Sequence, residues 1–187
     1  QLDVPSTATI MYGHIDSPKE WAIHLDIIRR IQSETGGFTE FVPLSFVHYD
    51  SPLYLENPSE VRPGATENEI ELMHAVSRIV LNGFIDNIQV SWTKLGPKKA
   101  RNLLSMGVND LGGTLMNESI SRSAGSKNGQ EITEAEMIAI IRSSSKTPIR
   151  RDTLYRALKT YNSEQSVVTA DPLVPRNETN PLCFLTQ

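Results

Sequence analysis

A single cysteine, Cys183, is present in 187 residues, which excludes a disulfide framework and any zinc or iron–sulfur site ligated only by cysteines of this chain. Long hydrophobic runs are missing as well: no stretch reaches the roughly eighteen apolar residues of a membrane span, so no membrane partner is expected. The opening QLDVPSTATIMYG has neither a basic leader nor a signal-peptide core, and the chain reads as soluble and intracellular, with the cytoplasm the expected compartment and an organelle the alternative. There is no excess of positive charge. Eighteen Lys plus Arg against 22 Asp plus Glu leave a net charge of -4, which argues against nucleic acid as a partner. With 39% hydrophobic and 21% charged residues the composition is that of an ordinary globular chain, and one domain is the default.

What is there is a regular alternation of strand and helix signals. TATIMYG at 7–13 is rich in β-formers and reads as a strand opening a βα unit. Ser17-Pro18-Lys19-Glu20 is a capping box with proline at the first helical position. It predicts a helix over 17–35, carrying Trp21, Leu25, Ile28 and Ile31 as its apolar stripe and stopped by Gly36-Gly37. FTEFVPLSFV at 38–47 reads as a second strand, followed by a long connection with Pro52, Pro58, Pro63 and Gly64 of the length typical of functional loops. A second box, Thr66 to Glu69, starts a helix with Ile70, Met73, Val76 and Val80 on its apolar face. A third strand is expected over Asn87–Leu95, a short helix from Pro97 to about Met106, and a fourth strand in VNDLGGTLM from Val108. Thr133 to Glu136 opens a last helix through about Ser143, and the proline-rich stretch from Tyr161 reads as an irregular tail.

Strict alternation implies a parallel sheet with right-handed crossovers, and both a doubly wound sheet and a (β/α)8 barrel satisfy it. Polarity decides between them. Gln89, Ser91 and Thr93 share one face of the third strand and Ile88, Val90 and Trp92 the other, while Asp110, Gly112 and Thr114 repeat the polar face on the fourth. Strands of an open parallel sheet are apolar on both faces, so a solvent- and substrate-filled lumen is the better host. The expected fold is α/β, the C-terminal half of a (β/α)8 TIM-type barrel over residues 1–160, followed by a tail at 161–187. Four strands do not close a barrel, so the chain is expected to be the C-terminal portion of a longer protein.

TIMYGHID, Thr9 to Asp16, overlays the fifth-strand pattern G-x-I-x-G-x-x-E of radical S-adenosylmethionine enzymes at Gly13, with Thr9, Met11 and Asp16 in place of Gly, Ile and Glu. Longer strings, ETGGFTEFVPLSFVHYDSPLY at 34–54, NIQVSWTKLG at 87–96, NDLGGTLMNESISRSAG at 109–125 and TPIRRDTLY at 147–155, resemble the FO synthase family. More narrowly, they are similar to its tyrosine-adding half, the 4-hydroxyphenyl transferases. The dehypoxanthinyl futalosine cyclases of menaquinone synthesis are similar at TATIMYGH and NIQ-SW, but FVPLSFVH and LGGTLMNESISR fit the first family better.

The resemblance implies a radical S-adenosylmethionine enzyme with a 4Fe-4S cluster on a C-x3-C-x2-C loop. That loop is absent here, so the cluster ligands are expected upstream and the isolated segment is expected to be inactive. The implied reaction transfers the 4-hydroxybenzyl group of L-tyrosine to 5-amino-6-(D-ribitylamino)uracil by 5'-deoxyadenosyl radical chemistry, and a second radical S-adenosylmethionine domain or subunit then completes the deazaflavin. Thr9, Met11, Gly13, Pro43 and Leu44 are the implied contacts to S-adenosylmethionine. Gln89, Ser91, Asp110, Thr114, Asn117 and Glu118, at or just after expected strand ends, are candidates for substrate binding. His14 and His48 follow strand ends and join them. Amides and hydroxyls suit the uracil edge and ribityl chain, and Asp110 or Glu118 could hold the amino group of tyrosine. No catalytic residue is assigned. The competing readings are a futalosine-type cyclase and a noncatalytic binding half-barrel.

Overall fold

In the computed structural model, which describes residues 4–115 and 117–162, strand β1 (Ser6–Tyr12) buries Ala8, Ile10 and Tyr12 while Thr7, Thr9 and Met11 stay exposed on the other face. Helix α1 (Pro18–Thr35) starts where the capping box closes, with the Ser17 amide donating to Glu20 Oε2 at 2.7 Å. It stops at Gly36, whose φ of 61° needs no Cβ to be accommodated. Its buried residues are Trp21, Leu25, Ile28 and Gln32, whereas Ile31, expected in the stripe, is 41% exposed. Gln32 earns its burial through hydrogen bonds: Nε2 donates to the Phe38 and Phe84 carbonyls, and Oε1 accepts from the Phe38 amide at 2.7 Å. This ties the end of α1 to the start of β2 (Phe38–Ser45), which pairs with β1 in parallel, Ala8 opposite Phe41 and Met11 opposite Leu44.

The long connection contains one short helix, α2 (Pro52–Glu56), before α3 (Glu67–Leu81). Thr66 Oγ1 accepts from the Glu69 amide, and Glu69 Oε2 accepts from the Thr66 amide at 2.7 Å. The buried face of α3 is Ile70, Met73, His74, Ser77 and Leu81, turned from the expected stripe so that Val76 points outward. Arg78 then clamps the next segment, donating to the Gly107 and Asp86 carbonyls and to Asn109 Oδ1.

The half-barrel expected from the sequence is not what forms. The described strands make two separate sheets of two strands each, the parallel β1–β2 pair and an antiparallel pair of β3 (Ile149–Arg151) and β4 (Ala157–Thr160), and neither closes into a barrel. The expected third and fourth strands shrink to isolated parallel bridges, Phe41 to Ile88 and Gln89 to Asp110. The reasons are local. The Ser91 carbonyl accepts from the Lys94 and Leu95 amides, so the chain coils into α4 (Trp92–Leu95) and then, past Gly96, into α5 (Pro97–Leu103). Asp110 Oδ1 accepts from the Gly112 amide at 2.6 Å, and Gly112 at φ 74° turns the chain out of extension. Trp92 still reaches the core at 2% exposure, its Nε1 donating to the Gly113 carbonyl at 3.1 Å. The alternation of Ile88, Val90 and Trp92 thus comes from a strand end plus a helical turn, which bury the same three side chains a longer strand would.

Helices α6 (Ile120–Ser123) and α7 (Glu134–Ser143) complete the described elements, α7 capped by the expected box at Thr133. The core joins Tyr12, Leu25, Phe41, Leu81, Ile88 and Leu103. The expected tail lies outside the described residues from position 163, as does Cys183. No helix among the described residues is long and apolar enough to cross a membrane.

Candidate functional site

Side chains alternate along a strand, so the bridges of Phe41 to Ile88 and Gln89 to Asp110 put Glu40, Gln89 and Asp110 together on the face opposite the core. Onto this face the hairpin brings Arg151. Its Nε donates to Asp110 Oδ2, its Nη2 lies 3.8 Å from Glu40 Oε1, and its guanidinium stacks 4.2 Å from the centroid of the Tyr155 ring. Glu40 is 2% exposed. Burial, and secondarily the negative charge of Asp110, push its carboxyl up to about 7, while Tyr155 and Arg151 pull the other way. Burial works against the charge on Arg151, but the bond to Asp110 outweighs it and holds the guanidinium firmly protonated. Two carboxylates therefore share one fixed cation, and Glu40 is the member able to gain or lose a proton near neutrality. Gln89 belongs to the same group: a Cβ at Gly112 would stand 3.0 Å from its Nε2, so the glycine makes room for the amide.

A cleft of about 360 Å³ lies beyond the end of β2, between the strand's continuation, the loop before α3, the α4–α5 turn and residues 126–128. Phe46, His48 and Tyr49 form an aromatic side, with the His48 and Tyr49 ring centroids 4.2 Å apart. Lys94, Lys99 and Lys127 line the other, and Lys99 pairs with Glu67. Burial lowers the ammonium of Lys94, and Glu118 opposes that shift.

The remaining candidates are distributed. Ser91 Oγ lies 3.2 Å from Thr93 Oγ1, which in turn meets Ser121 Oγ at 3.3 Å, making a hydroxyl chain that runs from half-buried Ser91 to buried Thr93 and Ser121. Glu118 accepts from the Ser121 amide at 2.9 Å and so caps the short α6, while Asn117, with φ 54°, is exposed. Thr114 is exposed and its carbonyl accepts from the Ile132 amide. His14 Nδ1 lies 2.5 Å from Asp16 Oδ1. Burial alone would raise the Asp16 carboxyl, but the amides of Gly13 and His14 donate to it and hold it below its ordinary range. Asp16 also accepts from Trp21 Nε1. Its work is to shape the turn after β1.

Thr9 and Met11 are exposed on one face of β1, and Leu44 faces the same way opposite Met11, whereas Pro43 points into the core. A Cβ at Gly13 would stand 2.5 Å from the Ala65 amide nitrogen, so this glycine admits the chain's own loop. Among the described residues no group of three or more His, Cys, Asp or Glu is arranged to hold a metal ion. The described residues therefore offer no ligand set for a 4Fe-4S cluster.

Sequence reasoning missed Glu40, Arg151, Tyr155 and Lys94. A carboxylate inside the apolar run FTEFVPLSFV was a usable signal, because a charge in a buried strand needs a partner. Arg151 had no such signal, since its carboxylate partners Asp110 and Glu40 lie more than forty residues away in sequence.

A family model for the CofH/MqnC C-terminal region matches residues 35–164. The 5-amino-6-(D-ribitylamino)uracil--L-tyrosine 4-hydroxyphenyl transferase of Methanopyrus kandleri is 50% identical over 161 residues, covering 86% of this chain and 43% of that protein. The enzyme of the same name from Methanocaldococcus jannaschii is 50% identical over 159 residues, 85% of this chain and 44% of that one. FO synthase of Mycobacterium tuberculosis is 49% identical over 158 residues, 84% of this chain and 18% of that protein. The chain spans less than half the length of each of these relatives.

Proposed function

The chain belongs to the family of the CofH/MqnC C-terminal region, and from that membership we propose that it is part of a transferase moving the 4-hydroxybenzyl group of L-tyrosine to 5-amino-6-(D-ribitylamino)uracil, either alone or joined within an FO synthase. The observation that carries the reading is identity of 49 to 50% across more than four-fifths of the chain to proteins bearing those names. The 4Fe-4S cluster and S-adenosylmethionine chemistry then belong to polypeptide beyond these residues, with a second radical domain or subunit as the partner that completes the deazaflavin. When bound, those groups supply the radical that attacks tyrosine. This chain supplies position and dryness.

In that scheme the amide of Gln89, given room by Gly112, offers the donor and acceptor pair that a uracil edge requires. Thr9 and Met11, which are exposed, and half-buried Leu44 offer a mostly apolar strip for an adenosyl group. Asp110 already accepts from Arg151 on one oxygen and from the Gly112 amide on the other, and so holds the polar face in place. The direct test is anaerobic turnover of the complete polypeptide carrying residues 1–187 with S-adenosylmethionine, reductant, L-tyrosine and 5-amino-6-(D-ribitylamino)uracil, followed by mass spectrometry. A hydroxybenzyl adduct of the ribityluracil is expected. Turnover of dehypoxanthinyl futalosine instead, or no consumption of tyrosine, would overturn the assignment.

A further inference from the structure

The cleft beyond β2 is positively lined in a chain whose net charge is -4. Of its three lysines only Lys99 is in an ion pair, with Glu67, while the charge of Glu118 supports Lys94 without contact. Among the described residues Lys94 and Lys127 form no ion pair, and Lys94 is half-buried, so its charge is held at a cost with no carboxylate in contact. The segment carrying Lys127 is fastened in place: Ser126 Oγ donates to the Thr93 carbonyl at 2.6 Å, and Asn128 Nδ2 donates to the Lys94 carbonyl at 2.9 Å. Gly125, at φ 89°, lets this segment close on Tyr49, where a Cβ would stand 2.5 Å from that residue's own Cβ. Lys94 and Lys127 therefore line the same cleft as Phe46 and Tyr49, with Ile70 and Leu95 as apolar lining. A volume of about 360 Å³ is at the small end of ligand sites.

We propose that this cleft is a binding site for a small aryl carboxylate, with the carboxylate at Lys94 and Lys127 and the ring against Phe46 and Tyr49. Under the function proposed above, which this inference rests on for the identity of its natural ligand, that ligand is L-tyrosine, and the lysines recognise the one part of the amino acid that a bare phenol or amine lacks. Local positive charge in an acidic protein selects for the anion, and the aromatic wall selects for the ring. A charge-assisted contact in a partly desolvated site is the stronger class of hydrogen bond.

The test is equilibrium binding to the complete polypeptide carrying residues 1–187, using 3-(4-hydroxyphenyl)propionate, L-tyrosine, tyramine and inorganic phosphate as probes. The two carboxylates are expected to bind and tyramine is not. Lys94→Gln should weaken the carboxylates about tenfold or more, and Lys94→Arg should recover most of the loss. Far-UV circular dichroism and the melting temperature check that each variant is folded, and Lys127→Gln, at an exposed position, repeats the test if Lys94→Gln is not. Unchanged carboxylate affinity in folded Lys94→Gln and Lys127→Gln overturns the proposal, and so does tyramine binding as tightly as tyrosine. Phosphate binding that outcompetes the aryl acids would make this a phosphate site instead. Binding requires no turnover, so lysine-dependent carboxylate binding in a protein that makes no hydroxybenzyl adduct would keep the cleft and remove the transferase. Adduct formation with an unchanged KM for tyrosine in Lys94→Gln would do the reverse.

Discussion

Glu40 is the residue whose behaviour the structure changes most. Its carboxyl titrates near 7 in the folded chain against an ordinary 4.5, so the native state binds a proton that the unfolded state has lost between those values. Its contribution is fully present below about pH 4.5 and disappears as pH rises through about 7. Glu40→Gln, which mimics the protonated form, should match the wild type near pH 5 and exceed it in melting temperature at pH 8. A scan of melting temperature from pH 5 to 8 for both proteins checks this, and parallel curves would show that Glu40 is ionised throughout. Gln89 and Trp92 make a second contrast at this scale. Gln89→Ala removes an amide from the polar face and should lower transfer activity of the complete enzyme by about one to two decades with little change in melting temperature. Trp92→Ala empties a site 2% exposed and loses the bond to the Gly113 carbonyl, which should cost about 3 to 5 kcal/mol in denaturant unfolding.

Among the elements, α1, α3 and α7 each begin at a Ser or Thr followed three residues later by Glu, and all three boxes close. Thr66 has the most at stake, because Glu69 also accepts from Arg62 at 2.5 Å and so ties the loop after β1 and β2 to the start of α3. Thr66→Ala should cost about 1 kcal/mol, read as a shifted denaturation midpoint at unchanged slope. Arg151 is the ion-paired tie between the β3–β4 hairpin and the parallel strands, beside the Tyr155 hydroxyl's hydrogen bonds to Thr39 and Glu40. Arg151→Ala leaves Asp110 and Glu40 facing each other without a cation, a loss of about 1 to 3 kcal/mol. Trypsin should then cut at Arg150, Arg156 or Lys159 well before the rest of the chain, and an unaltered cleavage order would show that the hairpin is held by other contacts.

For the whole molecule, the proposed function requires a division of labour, with cluster chemistry carried outside these residues. One thiol in 187 residues falls short of the three or more that ligate a 4Fe-4S cluster. Anaerobic reconstitution of residues 1–187 with iron and sulfide should yield no absorbance at roughly 400 nm. A stable cluster that survives Cys183→Ser would mean ligands of another kind and would undo the assignment of cluster and substrate wall to different parts of the polypeptide.

The helices were legible in sequence because capping is settled within four residues: Ser17 with Glu20, Thr66 with Glu69 and Thr133 with Glu136 each satisfy the backbone donors beside them. The polar face of Gln89 and Asp110 was legible for a similar reason, as alternation along a strand is local. Family resemblance was likewise carried by strings of adjacent residues. The ends of the third and fourth strands were not legible from that alternation, because Trp92 occupies the same core from a helical turn as it would from a strand, and only the carbonyl of Ser91 and the turn at Gly112 distinguish the two. Nor did any window of sequence show that Arg151 would cross to Glu40 and Asp110, or that Lys94 and Lys127 would line one cleft. Those encounters depend on how distant segments pack, and that packing, rather than any local pattern, decides which charges meet a partner and which line a cleft without an ion pair.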